Sequence, residues 1–185
     1  MAKTYNTIPT TTTGSVYTAA AHNNIVTNVN NYRVPPMCRV RRSGTASSAI
    51  TPSGSTTGFL EWNTQDVDTE DDEMWTSGSA TRITVRTAGF YLVNVNFVLD
   101  FTGTSTIQQS ALVHTTSGGS ETRIAAVYYA YSQLGVLVHT MTSTFSAAVG
   151  DYFRVRVEAV TGGSSITLRA DPTCVFSAAW LGQVS

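Results

Sequence analysis

The sequence predicts an all-β fold, an antiparallel β-sandwich of jelly-roll type, preceded by a short N-terminal arm and helix. Three observations lead there. From Met37 onward apolar residues recur at every second position. The segments with this period are short and separated by clusters such as SGGSE, VGD and TGGSS, and no helix of useful length lies between them. Without interleaved helices a parallel sheet is excluded, because its crossovers need about a dozen residues each.

Residues 1–16 are Thr-rich, contain Pro9 and show no periodicity, as in an extended arm with too little apolar surface to fold alone. Residues 18–32 place Ile25, Val29 and Tyr32 at spacings of four and three, behind Thr18 as N-cap. That is a narrow-striped helix whose Asn-rich remainder has poor helix propensity, so it needs an apolar surface to pack on. Pro35 and Pro36 end it and turn the chain. The expected division is an anchoring arm and helix over 1–36 and a β domain over 37–185.

Strands are expected at Met37–Arg42, Gly58–Trp62, Thr81–Thr87, Gly89–Asp100, Ala111–Thr115, Arg123–Tyr131, Val136–Phe145, Asp151–Val160, Ser165–Arg169 and Val175–Leu181. Two have the clearest alternation. Phe153, Val155, Val157 and Ala159 share one face of DYFRVRVEAV, and Tyr91, Val93, Val95, Phe97 and Leu99 share one face of GFYLVNVNFVLD. LVHT occurs at Leu112 and again at Leu137, which suits two neighbouring antiparallel strands better than a duplication.

Composition narrows the function. Charged residues are 12% of the 185, and the chain holds 30 Thr and 19 Ser, so hydroxyls rather than charges keep it in solution. With a net charge of -1 the electrostatic footprint of a nucleic-acid binder is missing. The N-terminus has no signal-peptide stretch and no run long enough to span a membrane, so neither nucleic acid nor membrane is an expected partner. Cys38 and Cys174 are too few for a disulfide scaffold and wrongly spaced for a zinc motif.

Three later segments carry a resemblance. RTAGFYLVNVNFVLD resembles the Gly-x-Tyr strand of the complement globular head and tumour-necrosis-factor-like jelly rolls, AVGDYFRVRVEAV their Gly-Asp turn and next strand, and CVFSAAWLG their last strand. The match runs in order over roughly residues 55–182, and Asn94 and Asn96 stand where those domains usually have aromatic residues. YTAAAHNNIVTNVNNYRVPPMCRV is similar to the start of many tailed-bacteriophage virion proteins, where a short Asn-rich helix and a Pro-Pro break lead into a β domain. The resemblance implies a virion surface protein, assembled in the host cytoplasm and forming a homotrimer. Tyr91, Phe97, Tyr128 and Tyr129 are its expected trimer contacts, and Ile25, Val29 and Tyr32 its expected anchor to other capsid or tail proteins.

Other side chains offer weaker chemistry. Asp66, Asp68, Glu70, Asp71, Asp72 and Glu73 hold half of the acidic groups in eight positions, but Asp71 and Ser77 break the EF-hand calcium pattern, so a solvated loop is expected and no metal. Trp62 and Trp75 flank it and are the candidate sugar-binding rings, or else anchors of the loop. His114 and His139, in the two LVHT segments, could meet their copies on a threefold axis, although hydrogen bonding alone accounts for such residues more simply. Arg33, Arg39, Arg41 and Arg42 form a basic cluster where arm meets domain, suited to carboxylate pairing with a neighbouring subunit or to a solvated face. No nucleophile setting or phosphate-cradling loop is present, so neither catalysis nor a cofactor is expected.

The expected function is therefore non-enzymatic: a capsid decoration or head-fibre knob on the virion surface. Loops after Trp62, Asp100 and Val160 are exposed to a possible host-surface glycan or protein. The alternatives are a tail fibre or receptor-binding protein, and a soluble calcium-assisted lectin-like module using Trp62, Trp75 and the acidic loop.

Overall fold

A computed structural model of the chain describes residues 6, 18–44, 48–50, 58–70, 73–102, 106–131, 135–159 and 165–183. Helix α1 (Ala19–Arg33) starts where the sequence places it, with the Thr18 hydroxyl accepting the Ala21 N–H at 3.2 Å. Twelve strands follow among the described residues: β1 (Met37–Arg41), β2 (Ser48–Ile50), β3 (Gly58–Phe59), β4 (Thr64–Asp68), β5 (Arg82–Thr84), β6 (Gly89–Thr102), β7 (Thr106–Thr115), β8 (Glu121–Tyr131), β9 (Gly135–Ala147), β10 (Tyr152–Ala159), β11 (Ser165–Leu168) and β12 (Val175–Gly182).

They form two antiparallel sheets. In the seven-stranded sheet β6 is the spine: β9 pairs along one edge, and the other edge is shared between β12 near Phe90–Asn96 and β11 near Leu99–Thr102. Beyond β12 lie β1 and β4, and beyond β11 lies β2. The five-stranded sheet runs β8, β7, β10, with β5 and β3 sharing the outer edge of β10. Paired, sequence-distant strands facing another sheet are the jelly-roll arrangement the periodicity predicts.

The core lies between the sheets. Val93, Val95, Phe97 and Leu99 of β6 and Phe176 and Ala178 of β12 face Phe153, Val155 and Val157 of β10 and Leu112 of β7, all fully buried. Trp62 stacks on Phe176 with ring centroids 5.6 Å apart, and Tyr91 meets Phe153 at 5.9 Å. Gly89 has φ +153°, and a Cβ there would collide with the Trp180 indole and the Gly182 carbonyl. The indole N–H donates to the Ala88 carbonyl at 3.1 Å, and the Tyr91 hydroxyl donates to the Thr87 carbonyl at 2.6 Å. The Gly-x-Tyr signature is thus a packing device: glycine admits Trp180, and tyrosine closes the corner.

Three expectations need correction. The acidic segment is not a solvated loop throughout, since Thr64–Asp68 is β4, hydrogen-bonded to β1. The two LVHT segments are not neighbours, because β7 pairs with β8 and β10 while β9 pairs with β6 in the other sheet. Gly58–Trp62 is cut to two strand residues: β10 pairs with it at Gly58 and Phe59 and accepts the Leu60 N–H at the Val155 carbonyl at 2.9 Å, after which Trp62 turns into the core.

Candidate functional site

The outer face of the seven-stranded sheet carries the unexplained apolar surface. Inward β6 residues alternate with Phe90, Leu92, Asn94 and Asn96, and β9 and β12 contribute Val136, Val138, Thr140, Thr142, Thr144 and Leu181 to the same side. Phe90 is 43% exposed, Leu92 38%, Val138 55% and Leu181 56%. Side chains brace the face flat: the Asn94 amide donates to the Thr142 hydroxyl at 2.7 Å, and the Thr140 hydroxyl donates to the Asn96 carbonyl at 2.8 Å. Among the described residues charge appears only toward its margins, where Arg39 and Arg41 flank Asp66 at 3.6 and 3.0 Å and Arg169 pairs with Asp100 at 2.7 Å. A low-charge sheet face with large apolar side chains is a surface suited to being covered.

The expected contacts divide by strand parity. Tyr91 and Phe97 are fully buried in the chain's own core, so they cannot reach a neighbour, and their assignment as trimer contacts is wrong. Phe90 and Leu92, one residue along, are the outward pair. FYLV is apolar at four successive positions, which signals a strand covered on both faces and could have exposed this. Tyr128 is 60% exposed and Tyr129 half-buried, both on β8 of the other sheet.

Neither tryptophan offers a ring to sugar. Trp62 and Trp75 are buried, and the Trp75 indole donates to the Ala80 carbonyl at 3.3 Å, so both are anchors of the intervening segment. Two of its acids, Asp68 and Glu70, are engaged within the chain. Asp68 accepts the N–H groups of Glu70, Met74 and Trp75 at 3.1, 2.7 and 3.4 Å, and Glu70 accepts the Thr87 hydroxyl at 2.6 Å. Burial pushes the Asp68 carboxyl up, against those N–H groups. Asp71 and Asp72 lie outside the described residues, as do the loops after Asp100 and Val160. Among the described residues, no three His, Cys, Asp or Glu side chains cluster as metal ligands would. Cys38 and Cys174 are free and buried, and burial pushes both thiols up.

The histidines part company. His114 is buried and its Nε2 lies 2.9 Å from Asp151, which also accepts the N–H groups of Ala148 at 2.9 Å and Ser117 at 3.0 Å. This carboxylate ties the Gly-Asp turn to the end of β7. Burial pushes Asp151 up, but the Ala148 N–H, the His114 ring and the Ser117 N–H outweigh it and hold the carboxyl below its ordinary range. His139 is also fully buried, between Phe97 at 4.9 Å and Tyr129 at 4.8 Å, and neither ring nitrogen has a hydrogen-bond partner. Burial lowers its pKa to about 4. Interior to one chain, neither histidine can meet its copy on a threefold axis.

In α1, Ile25 is half-buried while Val29 and Tyr32 are exposed. The Tyr32 ring lies 5.6 Å from Trp180, tying the helix end to β12. The Asn28 side chain accepts the Asn6 N–H at 2.9 Å and donates to the Asn6 carbonyl at 2.8 Å, so the arm touches the helix there.

Solved structures share this architecture. The Eiger tumour necrosis factor of S. frugiperda superposes with TM-score 0.61 at 12% identity, over 82% of this chain and 96% of that one. Murine APRIL gives 0.58 at 10% identity over 79% and 98%, and the zebrafish complement 1qA globular domain 0.52 at 15% identity over 80% and 98%. The chain has the tumour-necrosis-factor and C1q jelly-roll fold. Identities this low carry the fold alone. No family model and no curated protein matches the sequence.

Proposed function

We propose that this chain is a non-enzymatic structural protein of a bacteriophage virion: a homotrimeric capsid decoration or head-fibre knob, residues 37–185, anchored by residues 1–36. The observation that carries the reading is the outer face of the seven-stranded sheet, where Phe90, Leu92, Val138 and Leu181 remain exposed on a flat, low-charge surface. Such a face is covered when three copies pack it toward a common axis, and closed symmetry avoids an open-ended stack. The virion assignment rests on the resemblance of residues 17–40 to virion proteins, supported by exposed Val29 and Tyr32, which leave the helix apolar surface to bury against a particle.

The test is deletion of residues 1–36. The truncated chain is expected to remain a folded trimer that no longer attaches to particles. Attachment unaffected by the deletion would refute the anchoring role, and a monomeric mass for the full chain at micromolar concentration would refute the trimer.

A further inference from the structure

We propose that the outer face of the five-stranded sheet binds an acidic polysaccharide, holding its anionic groups on a set of arginines braced by aromatic rings. On β10, Phe153, Val155 and Val157 point into the core, so Tyr152, Arg154 and Arg156 point out. Pairing sets Arg82 of β5 beside Arg154 and Phe59 of β3 beside Arg156. Across β7, strand β8 adds Glu121, Arg123 and Tyr128.

The arginines are held in place. The Arg154 guanidinium lies 3.9 Å from the Phe59 ring centroid and 5.0 Å from that of Tyr152, whose ring also meets Arg82 at 4.8 Å. Glu121 bridges Arg154 and Arg156, whose side chains are only 17% and 18% exposed. The Arg123 guanidinium donates to the Tyr128 hydroxyl at 3.1 Å. Stacking occupies a guanidinium's faces and leaves its N–H edge as the hydrogen-bonding surface, the geometry that suits carboxylate and sulfate oxygens.

Charge identifies the occupant. Four arginines of this cluster stand against Glu121 and against Glu158, two positions along β10 from Arg156, in a chain whose net charge is -1. The excess is local, as for an anionic partner. The Phe59 and Tyr152 rings are covered by arginines, so they offer no open platform for nucleic-acid bases. Tyr128, 60% exposed at the margin, provides a ring for the apolar side of a sugar. Solution binding does not depend on the proposed trimer. Multivalent binding does rest on it, since packing the seven-stranded sheets toward the axis turns three copies of this face outward.

The test measures binding of the full-length chain to polygalacturonate and to dextran sulfate, with neutral dextran as control, while recording the mass of the same samples. Wild type is expected to bind one or both charged polymers and not dextran, with affinity falling as salt rises. Which polymer binds reports whether the anion is carboxylate or sulfate. The double variant Arg82→Ala, Arg123→Ala leaves the Glu121 bridge intact and should lose about tenfold in affinity. Arg39→Ala, Arg169→Ala removes equal charge at the other sheet and should change affinity less than about twofold. Equal losses in the two double variants, binding to dextran, no binding to either charged polymer, or tighter binding of a single-stranded oligonucleotide would overturn the proposal. Binding by a sample with the mass of one chain would support this site while removing the trimer.

Discussion

Replacing His139 with phenylalanine should flatten the acid dependence of stability. His139 lies between Phe97 and Tyr129 with both ring nitrogens unpartnered, and burial lowers its pKa from 6.5 to about 4. The folded state therefore holds the neutral ring, while the unfolded chain takes up a proton below pH 6.5. Between those values the unfolded state binds more protons, so stability falls as pH falls, by roughly 3 kcal/mol at pH 4. Phenylalanine fills the same slot without titrating and removes two unsatisfied polar atoms, worth about 1 kcal/mol in its favour at neutral pH. The assay is urea unfolding of both proteins from pH 7.5 to 4.5 at one fixed protein concentration. Taking the difference between them cancels the titration of Asp151 and Asp68. The advantage of His139→Phe should widen steadily below pH 6.5, and a difference independent of pH would refute the reasoning.

Other perturbations test the remaining contacts. Gly89→Ala drives a methyl group into Trp180 and the Gly182 carbonyl at a positive φ, so a loss of about 3 kcal/mol is expected in chemical denaturation. Asp151→Asn weakens the tie to His114 and should cost about 2 kcal/mol at pH 7. Because its folded pKa is depressed, that contribution is present above the ordinary value near 3.8 and is lost as pH falls through the folded value, so variant and wild type should converge in strong acid. Leu92→Asp places a charge on the outer face of the seven-stranded sheet and should yield a folded chain of monomeric mass by light scattering.

The architecture was legible wherever one face of a strand is wet. Alternation in DYFRVRVEAV and in Asn94–Leu99 placed β10 and the second half of β6, and Thr18 with Pro35 bounded the helix. It failed where tertiary pairing sets local structure. Thr64–Asp68 reads as polar loop, but β1 supplies its hydrogen bonds and Arg39 and Arg41 neutralise Asp66. Two of the four candidate trimer contacts fail by parity, since Tyr91 and Phe97 cannot fill the core and meet a neighbour as well. Ring size drew attention to Trp62 and Trp75, although large aromatics near a polar stretch are as well suited to pinning it down. The arginine face stayed hidden because Phe59, Arg82, Glu121, Arg123 and Arg154 are distant in sequence, and only the pairing of β3, β5, β7, β8 and β10 assembles them.

Electron cryo-microscopy of purified particles tests the central reading most directly. It should show threefold knobs formed by this chain, with the seven-stranded sheets facing the axis and residues 1–36 directed into the particle. Particles that lack the chain, or that carry it without threefold symmetry, would contradict the account.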